Sequence, residues 1–232
     1  MTEHLASMAE RVNRLANAAR ISRAPNDVVD QVCSLTRQAE ALLEQYAWAG
    51  PYAVEQLAPP DQDMLVWEPD DLRRTIPYSP ILGNLSPTAG RTKVWADGDD
   101  VEGSVTLSPI HAGPMGTVHG GIVAAVLDEL TSLAILASGN VGYTRSMTVT
   151  YRRPTPLGSE LSLWAKTAGR AGDVFMTSAE IRHAGQVTAS AVTLHHAAGR
   201  RDEPIYRKAR DDRPARVARG GHIGGAGAPQ HQ

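Results

Sequence analysis

The segment GTVHGGIVAAVLDELTSLAILA, residues 116–137, decides the fold of this 232-residue chain. From Ile122 to Ala137 its residues are apolar on every side of a helix, and the acidic pair Asp128 and Glu129 stands out among them. A helix that is apolar all round is buried on all sides. The segment therefore predicts a central helix enclosed by the rest of its domain.

The segments on both sides of this helix alternate apolar with small or polar residues, which is the period of β-strands. Two of them precede the helix, at 92–96 and 101–107, and the turn between them predicts a hairpin. Four more follow, at 143–153, 161–167, 174–183 and 187–196. This order predicts an α+β fold with two strands, one buried helix and about four further strands.

Outside this domain the composition predicts three other parts. Two N-terminal helices carry apolar stripes, and the second begins with an N-cap in Pro25-Asn26-Asp27. The stripes are Leu5, Met8, Val12, Leu15 and Ala19, then Val28, Val32, Leu35, Ala39, Leu42, Leu43 and Tyr46. We predict that these stripes serve packing or oligomerisation.

The predicted domain boundaries follow from these patterns. They are an N-terminal helical arm at 1–50, a Pro-rich connector or lid at 51–90, the central domain at 91–198 and a disordered tail at 199–232. In the connector we expect Trp67, Tyr78, Ile81 and Leu85 to cover part of the central domain.

Composition excludes several function classes. A net charge of −2 gives no reason to bind nucleic acid or an anionic membrane. The single cysteine, Cys33, cannot form an intramolecular disulfide or a cysteine zinc cluster, so we predict no metal site and no redox cofactor. Because we find neither a signal peptide nor a run of about 20 apolar residues, we predict a soluble, cytoplasmic protein. Aromatic residues are only 5% of the chain, so the core must consist of Val, Leu, Ile and Ala.

The acidic pair and the glycines before it suggest chemistry. A buried carboxyl group has a raised pKa, which suits Asp128 to act as a general base or nucleophile. Alternatively, Asp128 has a structural role, in which it caps a neighbouring loop or pairs with Arg145. Gly120 and Gly121 open the helix, where unpaired backbone N–H groups and the helix dipole can stabilise a substrate oxyanion.

The spacing of these groups suggests a shared site. The nine residues from His119 to Asp128 turn through roughly 900°, so the two ends point to opposite sides of the helix. A two-fold dimer with antiparallel helices would bring Asp128 of one subunit to Gly120 of the other, twice.

Residues 116–129 resemble the signature of hotdog-fold acyl-CoA thioesterases, notably the phenylacetate-pathway (PaaI-like) type and other thioesterase superfamily members. Residues 151–158 resemble the family's following strand and turn, and residues 79–83 resemble its lead-in. The resemblance covers about residues 78–198. It implies a hotdog fold, in which an antiparallel sheet wraps a long helix and two subunits dimerise into a continuous sheet, so we expect a homodimer or a dimer of dimers.

The resemblance also implies an acyl-CoA substrate, hydrolysed at the dimer interface, and roles for individual residues. Asp128 would be the base or nucleophile, the Gly120 N–H would polarise the thioester carbonyl, His119 would support that turn and Thr144 would help hold the water. We expect the substrate to be contacted by Gly121, Glu129, Arg145, Arg152 and Arg153, where the arginines would hold the phosphates of coenzyme A. The arginines could equally be solvent-facing charges on strands.

Two alternatives remain beside the thioesterase interpretation. Some relatives carry an asparagine six residues before the histidine, where this chain has Gly113, which favours a non-catalytic acyl-CoA or acyl-chain binding protein. An enoyl-thioester hydratase would need an Asp and His pair five residues apart, which we do not find. His183, His195 and His196 are expected to be core or surface residues, and Cys33 a small apolar one.

Overall fold

A computed structural model gives the structure of residues 2–46 and 66–201. Three helices precede the sheet: α1 (Thr2–Ile21), α2 (Asn26–Glu44) and the short α3 (Leu72–Thr75). The strands β1 (Arg91–Asp97) and β2 (Asp100–Thr106) lead to the central helix α4 (Gly120–Ala137). Four strands follow: β3 (Asn140–Tyr151), β4 (Glu160–Ala171), β5 (Val174–His183) and β6 (Gln186–Arg200). The predicted order of strands and helix is confirmed.

All six strands form one antiparallel sheet in the order β1-β2-β4-β5-β6-β3. The chain leaves α4 through a short turn, runs back along the helix as β3, and pairs β3 with β6 alone. Helix α4 contacts five of the strands, β2 to β6. An apolar helix lying on one face of an antiparallel sheet is the predicted hotdog architecture.

The core lies between α4 and the sheet and is built almost entirely from aliphatic side chains. Val126, Leu127 and Leu130 of α4 are completely buried, as are Leu161 and Ile181 of the facing strands. Phe175, the only phenylalanine, is buried as well. Slim side chains let the strands approach the helix closely, in agreement with the low aromatic content.

Helix α4 is not enclosed on every side, so that part of the prediction is wrong. Gly120 and Gly121 are exposed, and Ile122, Ala125 and Glu129 are only partly covered. The physical reason is that a single sheet covers one side of a helix, whereas the opposite stripe faces the connector and solvent. By length and hydropathy α4 could span a membrane, a property it shares with buried core helices.

The N-terminal arm also differs from the sequence prediction. Helix α2 begins after Pro25, whose ring offers no hydrogen-bond acceptor, so the predicted side-chain N-cap is wrong. Helix α1 contacts the end of the connector through Asn13, whose amide donates to the carbonyl oxygens of Pro87 at 2.7 Å and Ala89 at 3.1 Å. Helix α2 buries no residue.

The connector and the end of β6 complete the description. Leu85 is buried, and Trp67 and Ile81 pack against the core as expected of a partial cover. Strand β6 continues to Arg200, two residues into the predicted tail. The predictions for residues 47–65 of the arm and connector and for residues 202–232 of the tail lie outside the described residues.

A glycine in β2 tests how tightly the sheet is assembled. A Cβ on Gly103 would overlap the carbonyl oxygen of Lys93 and come within 3.0 Å of the Val94 Cα in the neighbouring strand. We expect Gly103→Ala to lower the free energy of unfolding by about 1–3 kcal/mol, because β1 must move away. Urea denaturation measures this, with Gly169→Ala as the matched control, since a Cβ there meets nothing within 4 Å. Equal stability of the two variants would contradict this packing.

Candidate functional site

The first turn of α4 leaves one backbone donor free. His119 is the N-cap residue, and its Nδ1 accepts a hydrogen bond of 3.0 Å from the Gly121 amide. The amides of Ile122 and Val123 both donate to the His119 carbonyl oxygen. Within residues 2–46 and 66–201, the Gly120 N–H has no acceptor. A free N–H at a helix N-terminus is a ready donor for an anion.

The position of this turn is fixed from both sides. The His119 amide donates to the His111 carbonyl oxygen at 2.9 Å, and the Val118 amide donates to the Thr155 carbonyl oxygen at 2.8 Å. The Leu157 amide donates to the Gly116 carbonyl oxygen at 3.0 Å. The loop before α4 is therefore held in place by the loop that follows β3. The free Gly120 N–H thus belongs to a segment whose position is fixed by hydrogen bonds.

Nothing in the described part of the chain requires glycine at position 120. Its φ angle is not in the left-handed region, and a Cβ would lie 3.8 Å from the Tyr151 ring, which is ordinary contact. Glycine is less favourable than alanine in a helix, by up to about 1 kcal/mol in the interior. The missing side chain therefore keeps open the space in front of the free N–H, which is what a ligand approaching that group needs.

A cleft of about 330 Å³ opens beside this donor. Two of the predicted arginines line it, whereas Arg145 lies at an exposed bulge of β3 away from it. The lining residues are Thr117, Val118, Gly120, Val123, Tyr151, Arg152, Arg153, Pro154 and Thr155. The cleft is thus lined by the residue that carries the free backbone donor and by two arginines.

Tyr151 is a member of this site that the sequence did not reveal. Its hydroxyl donates a hydrogen bond of 2.9 Å to the Gly120 carbonyl oxygen, and its ring lies over that residue. Tyr151 ends the edge strand β3 and is 55% exposed. In the sequence it is only one more residue of an alternating strand, because its contact depends on how β3 runs along α4.

The acidic end of the candidate site is formed by Asp128 and Thr144. The Thr144 hydroxyl donates to Asp128 Oδ1 at 2.9 Å, and the Thr131 hydroxyl donates to the Asp128 backbone carbonyl. The structure thus brings together two of the residues expected to act in catalysis. It does not bring Asp128 to the Gly120 of the same chain, because eight residues of helix separate them by about 12 Å.

His195 lies beneath this pair. It is opposite Thr144 in the register of β3 and β6 and is completely buried, with Nε2 3.0 Å from the Thr177 hydroxyl. Its Nδ1 is buried and has no partner among the described residues. Burial lowers the pKa of His195, although the negative charge of Asp128 acts in the opposite direction and raises it. The imidazole is therefore neutral near pH 7, a core histidine as expected, yet one close to the acidic group.

Glu129 is placed differently from its neighbour. Burial raises the pKa of Glu129, the Ser79 hydroxyl of the connector opposes this rise by hydrogen bonding, and the charge of Asp128 adds to it. Glu129 therefore faces the connector, away from Thr144. Among residues 2–46 and 66–201, no group of three or more His, Cys, Asp or Glu side chains is arranged to hold a metal ion.

Gly113, the position at which the resemblance led us to look for an asparagine, leaves little room for a side chain. A Cβ there would lie 3.0 Å from the His119 backbone nitrogen and 3.1 Å from the Val118 carbonyl oxygen. The side-chain amide of such an asparagine therefore has no counterpart at this position, and only backbone groups of the loop face the turn.

The raised pKa of Glu129 gives a prediction about stability. A carboxyl group whose pKa is higher in the folded state stabilises the fold below its unfolded value of 4.5, and this contribution is lost as the pH rises through the folded pKa. We expect Glu129→Gln to be more stable than the wild type at pH 7, with the difference shrinking towards pH 4. Urea denaturation at both pH values measures this, with the exposed Glu102→Gln as control. A difference independent of pH would contradict the burial of this carboxyl group.

Comparison with known proteins supports the predicted resemblance. Residues 115–190 match the thioesterase superfamily. Human acyl-coenzyme A thioesterase 13 is 29% identical over 73 residues, which are 31% of this chain and 52% of that protein. Acyl-coenzyme A thioesterase THEM4 of Xenopus laevis is 36% identical over 75 residues, which are 32% of this chain and 33% of that protein. The chain thus matches about half or less of the length of these relatives.

The structural similarity extends further along the chain. The crystal structure of a thioesterase superfamily protein has a TM-score of 0.68 at 26% identity, and the match covers 83% of this chain and 90% of that one. The resemblance of this chain to the hotdog-fold thioesterase superfamily is therefore confirmed, by sequence over residues 115–190 and by fold over most of its length.

Proposed function

We propose that this protein is an acyl-CoA thioesterase, which hydrolyses an acyl-CoA thioester to the free acid and coenzyme A. The observation that carries the proposal is the free Gly120 N–H, which opens onto a cleft lined by arginines, on the same helix as the Asp128 and Thr144 pair. The relatives named as acyl-coenzyme A thioesterases support this substrate class.

The chemistry needs few groups. The Gly120 N–H, aided by the helix dipole, stabilises the oxyanion that forms when the thioester carbonyl is attacked. Thr144 holds the Asp128 carboxylate in place. Asp128 either takes a proton from the attacking water, which gives the free acid directly and leaves that proton for the departing thiolate, or attacks the carbonyl itself. In the second case loss of the thiolate leaves an acyl anhydride on Asp128, which water then hydrolyses to the free acid. In both cases coenzyme A leaves as a thiolate that takes up a proton. Since a thiolate is a good leaving group, no metal or redox cofactor is needed.

Arg152 and Arg153 are suited to the phosphates of the substrate. Both line the cleft beside Gly120, and their backbone amides donate to the Thr188 carbonyl oxygen, which fixes the segment that carries them. Guanidinium groups bind phosphate oxygens by two parallel hydrogen bonds. Coenzyme A would enter this cleft as part of the substrate.

The complete site requires a second copy of the chain. β3 carries both halves of the site, since Thr144 contacts Asp128 and Tyr151 contacts Gly120. In the described part of the chain only one edge of β3 is paired, and a long open edge invites pairing with another strand. Two copies of β3, paired antiparallel around a two-fold axis near the middle of the strand, would bring the Thr144 end of one strand towards the Tyr151 end of the other. Asp128 would then meet the Gly120 of the partner.

Gly113 favours one alternative, a protein that binds acyl-CoA without hydrolysing it. The loop has no side-chain amide to hold the thioester or the water. A thiol-trapping assay with short, medium and aromatic acyl-CoAs separates the two functions. Release of thiol supports hydrolysis, whereas tight retention of ligand without thiol release supports binding alone.

Two substitutions test the proposed roles. We expect Asp128→Asn to lower kcat by roughly 10²–10⁴-fold, because the base is lost. Gly120→Pro removes the free N–H and places the proline ring at that nitrogen while keeping the start of the helix, since proline is tolerated at the first position of a helix and His119 already has the extended backbone that precedes proline. We expect it to lower kcat by roughly 10²–10³-fold.

Each substitution has a matched control measured in the same assay. Gly120→Ala keeps the N–H and should remain clearly more active than Gly120→Pro, and Asp173→Asn, outside the site, should match the wild type. Equal rates for the proline and alanine variants would refute the role of the Gly120 N–H.

A complementation experiment tests the shared site. Each half of the site is intact in one of the inactive variants, Asp128→Asn and Gly120→Pro, so a mixed dimer regains one working site of two. After co-expression, half of the dimers are mixed, and we expect about a quarter of the wild-type activity. Each variant expressed alone is the control. A co-expressed sample no more active than the variants alone would show that the site lies within one subunit.

A further inference from the structure

The N-terminal helices expose the apolar stripes that the sequence predicted to be packed. On α2, Val32 is 38% exposed, Leu35 is 64% exposed and Leu42 is 66% exposed, and no residue of the helix is buried. On α1, Met8, Val12 and Leu15 are each about 40% exposed. Such a contiguous apolar surface on a folded chain marks an interaction site.

Helix α1 docks through a different face from the one that carries its stripe. Ala9 is buried, the Asn13 side chain donates to backbone carbonyl oxygens of the connector, and Asn17 Oδ1 accepts from the Ile110 amide of the central domain at 3.3 Å. This small, polar face fixes the direction of α1. The docking therefore leaves Met8, Val12 and Leu15 facing away from that contact.

The period of both stripes is that of helices that pair side by side. The residues of α1 recur at steps of three and four from Leu5 to Ala19, and those of α2 do the same from Val28 to Leu42. A regular alternation of three and four averages 3.5 residues, the heptad period by which one helix packs against another. A helical partner fits this pattern better than a flat surface does.

Charge distinguishes between the available partners. Helix α2 carries four acidic residues and one arginine, whereas α1 carries three arginines and two glutamates. Opposite net charges favour pairing α2 with α1 over pairing α2 with α2. The acidic character of α2 also disfavours an anionic lipid surface, which attracts helices rich in Lys and Arg.

We propose that the apolar stripe of α2 packs against the apolar stripe of α1 from a second copy of this chain. The α1 of the same chain does not cover it, because α2 leaves that helix after Pro25 in an extended conformation and buries no residue. The contact is separate from the catalytic site and from the edge of β3, and it does not depend on the proposed hydrolysis.

Mixed cross-linking of the full-length protein tests this contact. All chains carry Cys33→Ser, one tagged population carries Val12→Cys and a second, untagged population carries Leu35→Cys, the central positions of the two stripes. After co-expression, a flexible bis-maleimide should join the two populations into a species of their combined mass. A single chain with both cysteines, treated at high dilution, reports contact between helices of the same chain.

A pair of charge-matched variants shows whether the stripe is responsible. Val32→Glu with Leu35→Glu adds two charges to the stripe, and Ser34→Glu with Ala41→Glu adds the same two charges to another face of α2. For these variants the untagged cysteine moves to Leu42→Cys, a third stripe position. We expect the stripe variant to lower the mixed cross-link at least tenfold and the control to leave it within twofold. Circular dichroism should show the same melting temperature for both central domains.

Three outcomes would overturn the proposal. In the first, the cross-linker joins helices of the same chain and gives no mixed product. In the second, the stripe variant and its control lose the mixed product equally. In the third, the protein with the unsubstituted stripe gives no mixed product. Flotation with vesicles of phosphatidylcholine and phosphatidylserine distinguishes a lipid occupant. If the protein binds these vesicles, the stripe variant does not, and no mixed product forms, the stripe would be assigned to a membrane surface instead.

Discussion

Burial of α4 against a single sheet is the constraint on which the rest of the structure depends. The helix is too apolar to face water, so the chain must return along it at once, and Ser138 and Gly139 turn the helix directly into β3. Because β3 runs back from the C-terminus of α4 towards its N-terminus, Thr144 meets Asp128 and Tyr151 meets Gly120. Both halves of the candidate site thus result from the same packing requirement.

The residues at this site are not those that would make the helix most stable. Glycine at position 120 weakens the first turn although a methyl group would fit, and its N–H lacks an acceptor. The carboxyl group of Glu129 and an imidazole nitrogen of His195 are buried, although removing polar groups from water costs free energy. Such departures from local stability are expected where function selects the residue.

The elements of secondary structure, which depend on local periodicity, were predicted from the sequence. Contacts that depend on the register between strands were missed. The strands and α4 were predicted because apolar alternation and an all-apolar run are local signals. His195 was not linked to Asp128, since their proximity follows from its register opposite Thr144 beside a β-bulge. The docking face of α1 was missed for another reason. Asn13 and Asn17 bind backbone groups, and hydrophobic patterns do not record such contacts.

Two surfaces of the chain are proposed to bind a second copy, and the two contacts would reinforce each other. The edge of β3 offers backbone hydrogen-bonding groups, whereas the stripes of α1 and α2 offer apolar side chains. The two surfaces are therefore not complementary, and each needs a partner of its own kind. If two chains pair at β3 as proposed, and both surfaces can engage in the same dimer, the helix contact would form at high effective concentration. A weak helix pair, only two or three heptads long, would then suffice to stabilise the assembly. The arm would thus act by holding together a site that one chain cannot complete.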